Sequence, residues 1–115
     1  MDRAQALSCI PVKNEMVEST RLESGEVVLA HPVGMRPWMM RLMRTIGRPT
    51  DNVHTKKLQL DTLGTSVWDL IDGQSNVKKL IKHFAAQHQL HPREAEVSIS
   101  KFLRELGRRG IIGLK

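Results

Sequence analysis

The segment Lys56–Leu80, KKLQLDTLGTSVWDLIDGQSNVKKL, contains the pattern that decides the fold. Its opening residues, Lys57–Leu60, alternate between polar and apolar side chains, as expected of a half-buried β-strand. The apolar residues that follow recur at helical spacing and predict a first helix near Asp61–Ile71, which Asp61 or Thr62 can cap. No pair of groups in the segment could carry out chemistry on a substrate.

Working outward, the neighbouring segments predict a hairpin before this stretch and further helices after it. Two β-prone runs, Met16–Leu22 and Glu26–Val33, flank a turn in which Gly25 supplies the backbone freedom that a tight turn needs. Apolar periodicity then predicts a second helix near Asn76–Gln89 and a third near Pro92–Arg109. We therefore predict an α+β, winged-helix-like fold in which an N-terminal three-stranded antiparallel β-sheet is followed by a three-helix bundle.

Length and composition fit one folded domain. The chain has 115 residues, of which 40% are hydrophobic and 26% charged. We expect a single domain over 1–115, divided into a tail (1–11), the hairpin (12–33), a basic Met-rich insertion (34–55), and the third strand with three helices (56–114). The single cysteine excludes an internal disulfide, and with no evident signal sequence it favours a cytoplasmic protein. No run is long and apolar enough for stable membrane insertion.

Positive charge is concentrated in the centre of the chain. The net charge is +6, and the insertion with the strand after it carries Arg36, Arg41, Arg44, Arg48, Lys56 and Lys57. Such an excess suggests an acidic partner, a nucleic acid or an anionic surface, and it does not choose among them. We interpret Arg41, Met43 and Arg44 as a partner-docking surface, because Met-rich faces adapt to partners. The segment could also pack onto the domain or lie weakly on an anionic membrane.

A motif links the first helix to a known family. The pattern Gly–x–x–Val–Trp–x–Leu–x–x–Gly runs from Gly64 to Gly73, and the third predicted helix carries Phe–Leu followed by Leu and Gly. With these residues the chain from Lys56 to Leu114 resembles the PqqD-type family, named for a pyrroloquinoline quinone biosynthesis protein. The matching residues are Leu60, Asp61, Gly64, Val67, Trp68, Leu70, Gly73, Leu80, Ile81, Phe102, Leu103, Leu106 and Gly110.

The resemblance implies a RiPP precursor peptide recognition element with no catalytic residue, no metal and no cofactor. The leader of a ribosomally made precursor peptide would add as a strand in a groove between the third strand and the third helix. The bound leader would be presented to a radical SAM or other peptide-modifying enzyme. The expected peptide-binding residues are Lys57, Leu58, Gln59, Leu60, Ser98, Lys101, Phe102 and Glu105. Residues Lys57–Leu60 would offer unpaired backbone groups to the incoming chain.

Two other function classes remain open from the residues alone. A winged-helix DNA-binding protein would use Lys101, Arg104 and Arg108, which share a face of the third helix. That helix has no Asn or Gln to read adenine, and the hairpin tip is acidic, so we expect no nucleic-acid partner. A structural or assembly module is the third class, for example a homodimer that exchanges N-terminal strands.

The histidines do not predict a metal centre. His88 and His91 are three residues apart, but no carboxylate or thiol completes a ligand set around them. We expect a capping or solvent-exposed role for these two side chains.

Overall fold

The structure, a computed structural model, describes residues 2–33 and 54–115, so residues 34–53 of the predicted insertion lie outside the described residues. In chain order its elements are α1 (Arg3–Ser8), β1 (Pro11–Lys13), β2 (Glu18–Arg21), β3 (Val27–Val33), β4 (His54–Gln59), α2 (Thr62–Leu70), α3 (Val77–His88), α4 (Pro92–Arg108) and β5 (Ile112–Leu114). The chain divides into two compact units. We call Glu15–Leu60 the sheet unit, and Met1–Asn14 together with Asp61–Lys115 the helical unit.

The sheet unit contains a three-stranded antiparallel sheet in the order β2-β3-β4. The β2–β3 turn closes with a hydrogen bond from the Leu22 N–H to the Glu26 carbonyl, at 2.8 Å. Gly25 has a φ of +93° in this turn, a conformation that L-residues with a side chain rarely adopt. Leu29 in β3 is fully buried.

The helical unit is built on the packing of α3 against α4. Each helix has apolar residues at i, i+3, i+4 and i+7 spacing, which places them along one side of the helix. The buried residues of these two stripes are Val77, Leu80, Ile81, Phe84, Ala95, Ile99, Leu103 and Leu106. Burying each large aliphatic or aromatic side chain contributes about 1.5–3 kcal/mol relative to leaving it in water, so these stripes form the main core of the unit.

Side-chain caps fix where the helices begin. The Asp61 carboxylate accepts a hydrogen bond from the Gly64 N–H at 2.7 Å, so of the two candidate caps, Asp61 and Thr62, Asp61 is the one that caps α2. Asn76 accepts from the Lys79 N–H at 2.9 Å at the start of α3.

The two ends of the chain are joined within the helical unit. Strands β1 and β5 pair antiparallel, and Ile10 and Lys115 extend the pair by exchanging two backbone hydrogen bonds of 2.9 and 3.0 Å. The Cys9 carbonyl accepts from the Val77 N–H at 2.9 Å, so the N-terminal segment also satisfies one donor at the start of α3.

The expected mixed α+β fold with a three-stranded antiparallel sheet is confirmed, whereas the helix count differs from the prediction. The described residues contain four helices rather than three, because residues assigned to an N-terminal tail form α1. Asp2 and Gln5 form a reciprocal capping box at its start. The two-stranded sheet of β1 and β5 was also not predicted. In residues 2–33 and 54–115 no helix combines the length and apolarity that a membrane crossing requires.

Replacing Trp68 should destabilise the fold strongly. The Trp68 side chain is only 4% exposed, and the Lys13 ammonium lies 4.4 Å from the centroid of its ring. We expect Trp68→Ala to lower the free energy of unfolding by about 3–5 kcal/mol, measured by urea denaturation. Trp68→Phe, which keeps an aromatic ring, should cost less. An unchanged denaturation midpoint for Trp68→Ala would contradict the buried position.

The carboxyl group of Asp72 should titrate at unusually low pH. Hydrogen bonds from the backbone N–H groups of Ser75 and Gln74, at 2.7 and 2.9 Å, lower the pKa of Asp72 to about 2. Because the folded-state pKa lies below the unfolded value, the carboxylate stabilises the fold at neutral pH, and this contribution is lost as the pH falls from about 4 to about 2.

Carboxyl-detected NMR titration measures this pKa directly. Asp72→Asn keeps an acceptor oxygen without the charge, so the stability advantage of the native protein over this variant should disappear across the same pH interval. A titration midpoint near the ordinary aspartate value would show that the turn does not hold the carboxylate.

Candidate functional site

Strand β4 is an edge of the sheet formed by the described residues. In the β3–β4 ladder Leu58 lies opposite Leu29, and the Leu60 N–H donates to the Val27 carbonyl at 2.8 Å. Antiparallel strands alternate residues that bond to the neighbour with residues that point away from it. Leu58 and Leu60 therefore bond towards β3, and the backbone groups of Lys57 and Gln59 point towards the open edge.

This alternation reduces the number of β4 residues whose backbone groups could pair with an added strand. The whole run Lys57–Leu60 was expected to offer backbone groups to an incoming chain, and in the structure the backbone groups of Lys57 and Gln59 are the ones directed away from β3. The side chains of Lys57 and Gln59 are exposed, whereas Leu60 is buried. A chain pairing with β4 would thus meet polar side chains on one face of the strand.

A second candidate surface is a pocket of about 360 Å³ in the helical unit. Helices α2 and α4 supply most of its lining, which consists of Asp61, Leu63, Gly64, Val67, Phe84, Ser98, Lys101, Phe102 and Glu105. All four helix residues that were predicted to bind a peptide are in this set. They meet there because Ser98, Lys101 and Glu105 follow one another at i, i+3 and i+7 along α4.

Leu63 is an exposed apolar lining residue that the sequence analysis did not assign to a site. Periodicity places it on the same stripe as Val67, which is 3% exposed, yet the Leu63 side chain is 47% exposed. Spacing alone could not separate the two, since the neighbouring elements decide which part of a stripe is covered. Leu63 and the half-buried Phe102 give the pocket its apolar character.

The negative charge of Glu105, at one end of the pocket, is neutralised by two arginines. Glu105 accepts hydrogen bonds from Arg108 at 2.8 Å and Arg109 at 2.9 Å. The hydrogen bond from Arg108, and after it that from Arg109, lowers the pKa of Glu105. Lys101 forms no ion pair with the described residues, so its ammonium could meet an anionic group of a ligand.

Neither of these two surfaces, as the described residues form them, brings together three metal-ligating side chains. Across residues 2–33 and 54–115 no group of three or more His, Cys, Asp or Glu side chains could hold a metal ion. His91 caps α4, with its Nδ1 accepting from the Arg93 N–H at 3.1 Å, and the His88 ring lies 4.7 Å from that of Phe84.

The predicted site residues thus fall into three groups. Lys57, Leu58, Gln59 and Leu60 are in the sheet unit, and the four α4 residues are in the helical unit. The predicted docking residues Arg41, Met43 and Arg44 lie outside the described residues, and their role stays a prediction.

One family model and one solved structure are similar to this chain. The family model described as coenzyme PQQ synthesis protein D (PqqD) matches residues 26–112. The solved structure of TbiB1 in complex with the TbiA(beta) leader peptide is similar in fold, with a TM-score of 0.61 and 19% sequence identity. The match covers 87% of this chain and 92% of that one. No curated protein matches the chain.

Amide hydrogen exchange should reveal the alternation along β4. The N–H of Leu60 is held by Val27 and that of Leu58 points to β3, so both should exchange slowly. The N–H groups of Lys57 and Gln59 point to the open edge and should exchange faster, which NMR measures residue by residue. Equal protection at all four amides would show that another part of the chain covers this edge.

Proposed function

The chain belongs to the PqqD family, and from that premise we propose that it binds the leader of a ribosomally made precursor peptide and presents it to a modifying enzyme. The proposal assigns the chain no catalytic group, and the enzyme it serves is of the radical SAM type. The fold it shares with a protein solved in complex with a leader peptide supports this function. The cytoplasmic setting expected from the sequence stays a prediction.

Among the described residues β4 has no strand on its outer side, and this edge is the observation that carries the proposal. The outward backbone groups of Lys57 and Gln59 alternate with groups bonded to β3, and this is the pattern that an added antiparallel or parallel strand requires. Backbone pairing of this kind provides affinity without reading the side chains of the leader. An unpaired strand edge can also pair with the edge of another protein chain, which leads to aggregation. The exposed, charged side chain of Lys57 opposes such pairing when no peptide is bound.

Specificity would come from side chains, and the pocket on α2 and α4 supplies a candidate receptor for them. Leu63 and Phe102 can bury an apolar leader residue, while Lys101 favours an acidic one. The exposed ammonium should raise the association rate more than the final affinity. We propose that both the β4 edge and this pocket take part in leader binding.

DNA binding by a winged-helix-like arrangement, the alternative from the sequence, has no comparable support. Of the three cations that would form the contact face on α4, Arg108 is bonded to Glu105 at 2.8 Å. That carboxylate lowers the positive charge available to a phosphate backbone.

A proline at position 57 tests strand addition. Lys57→Pro removes an outward N–H without removing any hydrogen bond to β3, so the sheet should remain intact. Loss of one backbone hydrogen bond should weaken leader binding about three- to tenfold. Calorimetry measures this affinity, with synthetic leader peptides whose sequences are taken from short open reading frames beside the gene. Lys57→Ala is the matched control, since it removes the same side chain and keeps the N–H.

Equal affinities of Lys57→Pro and Lys57→Ala would contradict strand addition at this edge. Leu58→Pro is a poorer test, because it removes a bond within the sheet and destabilises the receptor itself. Amide shifts confined to residues 34–53 would instead assign leader binding to the basic insertion.

A further inference from the structure

A second, larger groove crosses the helical unit between α1, α3 and α4. Its volume is about 860 Å³, and its lining consists of Arg3, Leu7, Lys78, Ile81, Lys82, Ala85, His91, Pro92, Arg93, Glu96 and Val97. It shares no lining residue with the pocket on α2 and α4. The two depressions use different faces of α4, so a ligand in one leaves the other open.

The floor of this groove is apolar. Ile81 from α3 is 8% exposed, and Leu7 from α1 and Ala85 are half-buried. Val97 on α4 is a branched apolar residue, yet it is 61% exposed. Val97 therefore adds exposed apolar area beside these residues, and apolar side chains of a partner could bury that area.

The rim of the groove is positively charged. Arg3, Lys78, Lys82 and Arg93 surround it, and Glu96 is the one carboxylate among its lining residues. The Arg3 guanidinium holds Glu96 through two hydrogen bonds, from Nε at 3.0 Å and from Nη2 at 2.6 Å. The pair leaves the negative charge of Glu96 compensated, so the rim has a net positive charge.

The hydrogen bonds to Glu96 also fix the orientation of the Arg3 guanidinium. The Arg3 side chain is 74% exposed despite the pairing. Its Nη1 makes no hydrogen bond to the described residues, and a guanidinium held on one side presents its remaining donors in a fixed direction. A carboxylate approaching from solvent would find an arginine that is already oriented.

From this combination we propose that the groove docks an acidic, amphipathic segment of a partner protein, whose apolar side chains lie on the floor and whose carboxylates meet the rim. Lys78, Lys82 and Ala85 follow one another at i, i+4 and i+7, which matches the spacing of residues on an incoming helix. The proposal does not depend on leader binding, because the groove and the leader-binding surfaces share no residue.

The test uses a designed helical peptide with Leu on one face and Glu on the other, and a second peptide in which every Glu is replaced by Lys. We expect the acidic peptide to bind the full chain, with amide shifts concentrated on α1 and on the groove-lining residues of α3 and α4. Lys78→Glu and Lys82→Glu should each weaken binding roughly three- to fivefold. Val97→Asp should also weaken it.

Lys79→Glu is the matched control, since it makes the same charge change on the same helix at a residue outside the groove. It should change the affinity less than twofold. The proposal would be overturned if Lys79→Glu and Lys82→Glu weakened binding equally, or if the acidic peptide did not bind at all. It would also be overturned if the Lys peptide bound, or if duplex DNA or anionic vesicles bound the groove more tightly than the acidic peptide does. Leader affinity measured on the same variants should not change, which separates this test from that of the proposed function.

Discussion

The packing of α3 against α4 is the contact on which the helical unit depends. Two apolar stripes of similar period meet there, and Phe84, Ile99 and Leu106 are almost completely buried. A helix that buries one face leaves its other faces available. On α4 one of these faces lines the pocket with Phe102 and Lys101, and another lines the groove with Glu96 and Val97. One core contact therefore determines where two separate binding surfaces can form.

In the sheet unit the corresponding constraint is hydrogen-bond direction. Once Leu60 bonds to Val27, the alternation of an antiparallel pair sends the groups of Gln59 and Lys57 to the other side of β4. The residues that hold the strand in the sheet and those that could bind a peptide therefore alternate. This separation allows binding to be changed by substitution without loss of the sheet.

Electrostatics distinguish the two surfaces of the helical unit. In the pocket, Glu105 is the one acidic lining residue that α4 supplies. It is bonded to Arg108 and Arg109 at the helix end, and Lys101 remains available. In the groove, Arg3 compensates Glu96 across 93 positions of sequence and several cations remain around it. Exposed ion pairs such as these add little stability. Their effect is to determine which charges are left to attract a partner.

The sequence by itself determined the elements whose signals are local. Alternation predicted the strand before Asp61, apolar spacing predicted three helices, and the Gly25 turn predicted the hairpin, all within a few residues of their bounds. The motif around Trp68 identified the family, and the helical spacing of Ser98, Lys101 and Glu105 placed them on one face. These features depend on residues close together in sequence, and the spacing of apolar and polar residues therefore predicts them.

Only the tertiary structure decided the features that depend on distant residues. Helix α1 is short and lacks an apolar stripe, and it is held by packing on α3 and by the bond from Arg3 to Glu96. The β1–β5 pair joins the two ends of the chain, and the exposure of Leu63 depends on which elements cover α2. The outward direction of Lys57 is set by register with β3. Each of these follows from contacts between segments far apart in sequence, and local periodicity contains no information about such contacts.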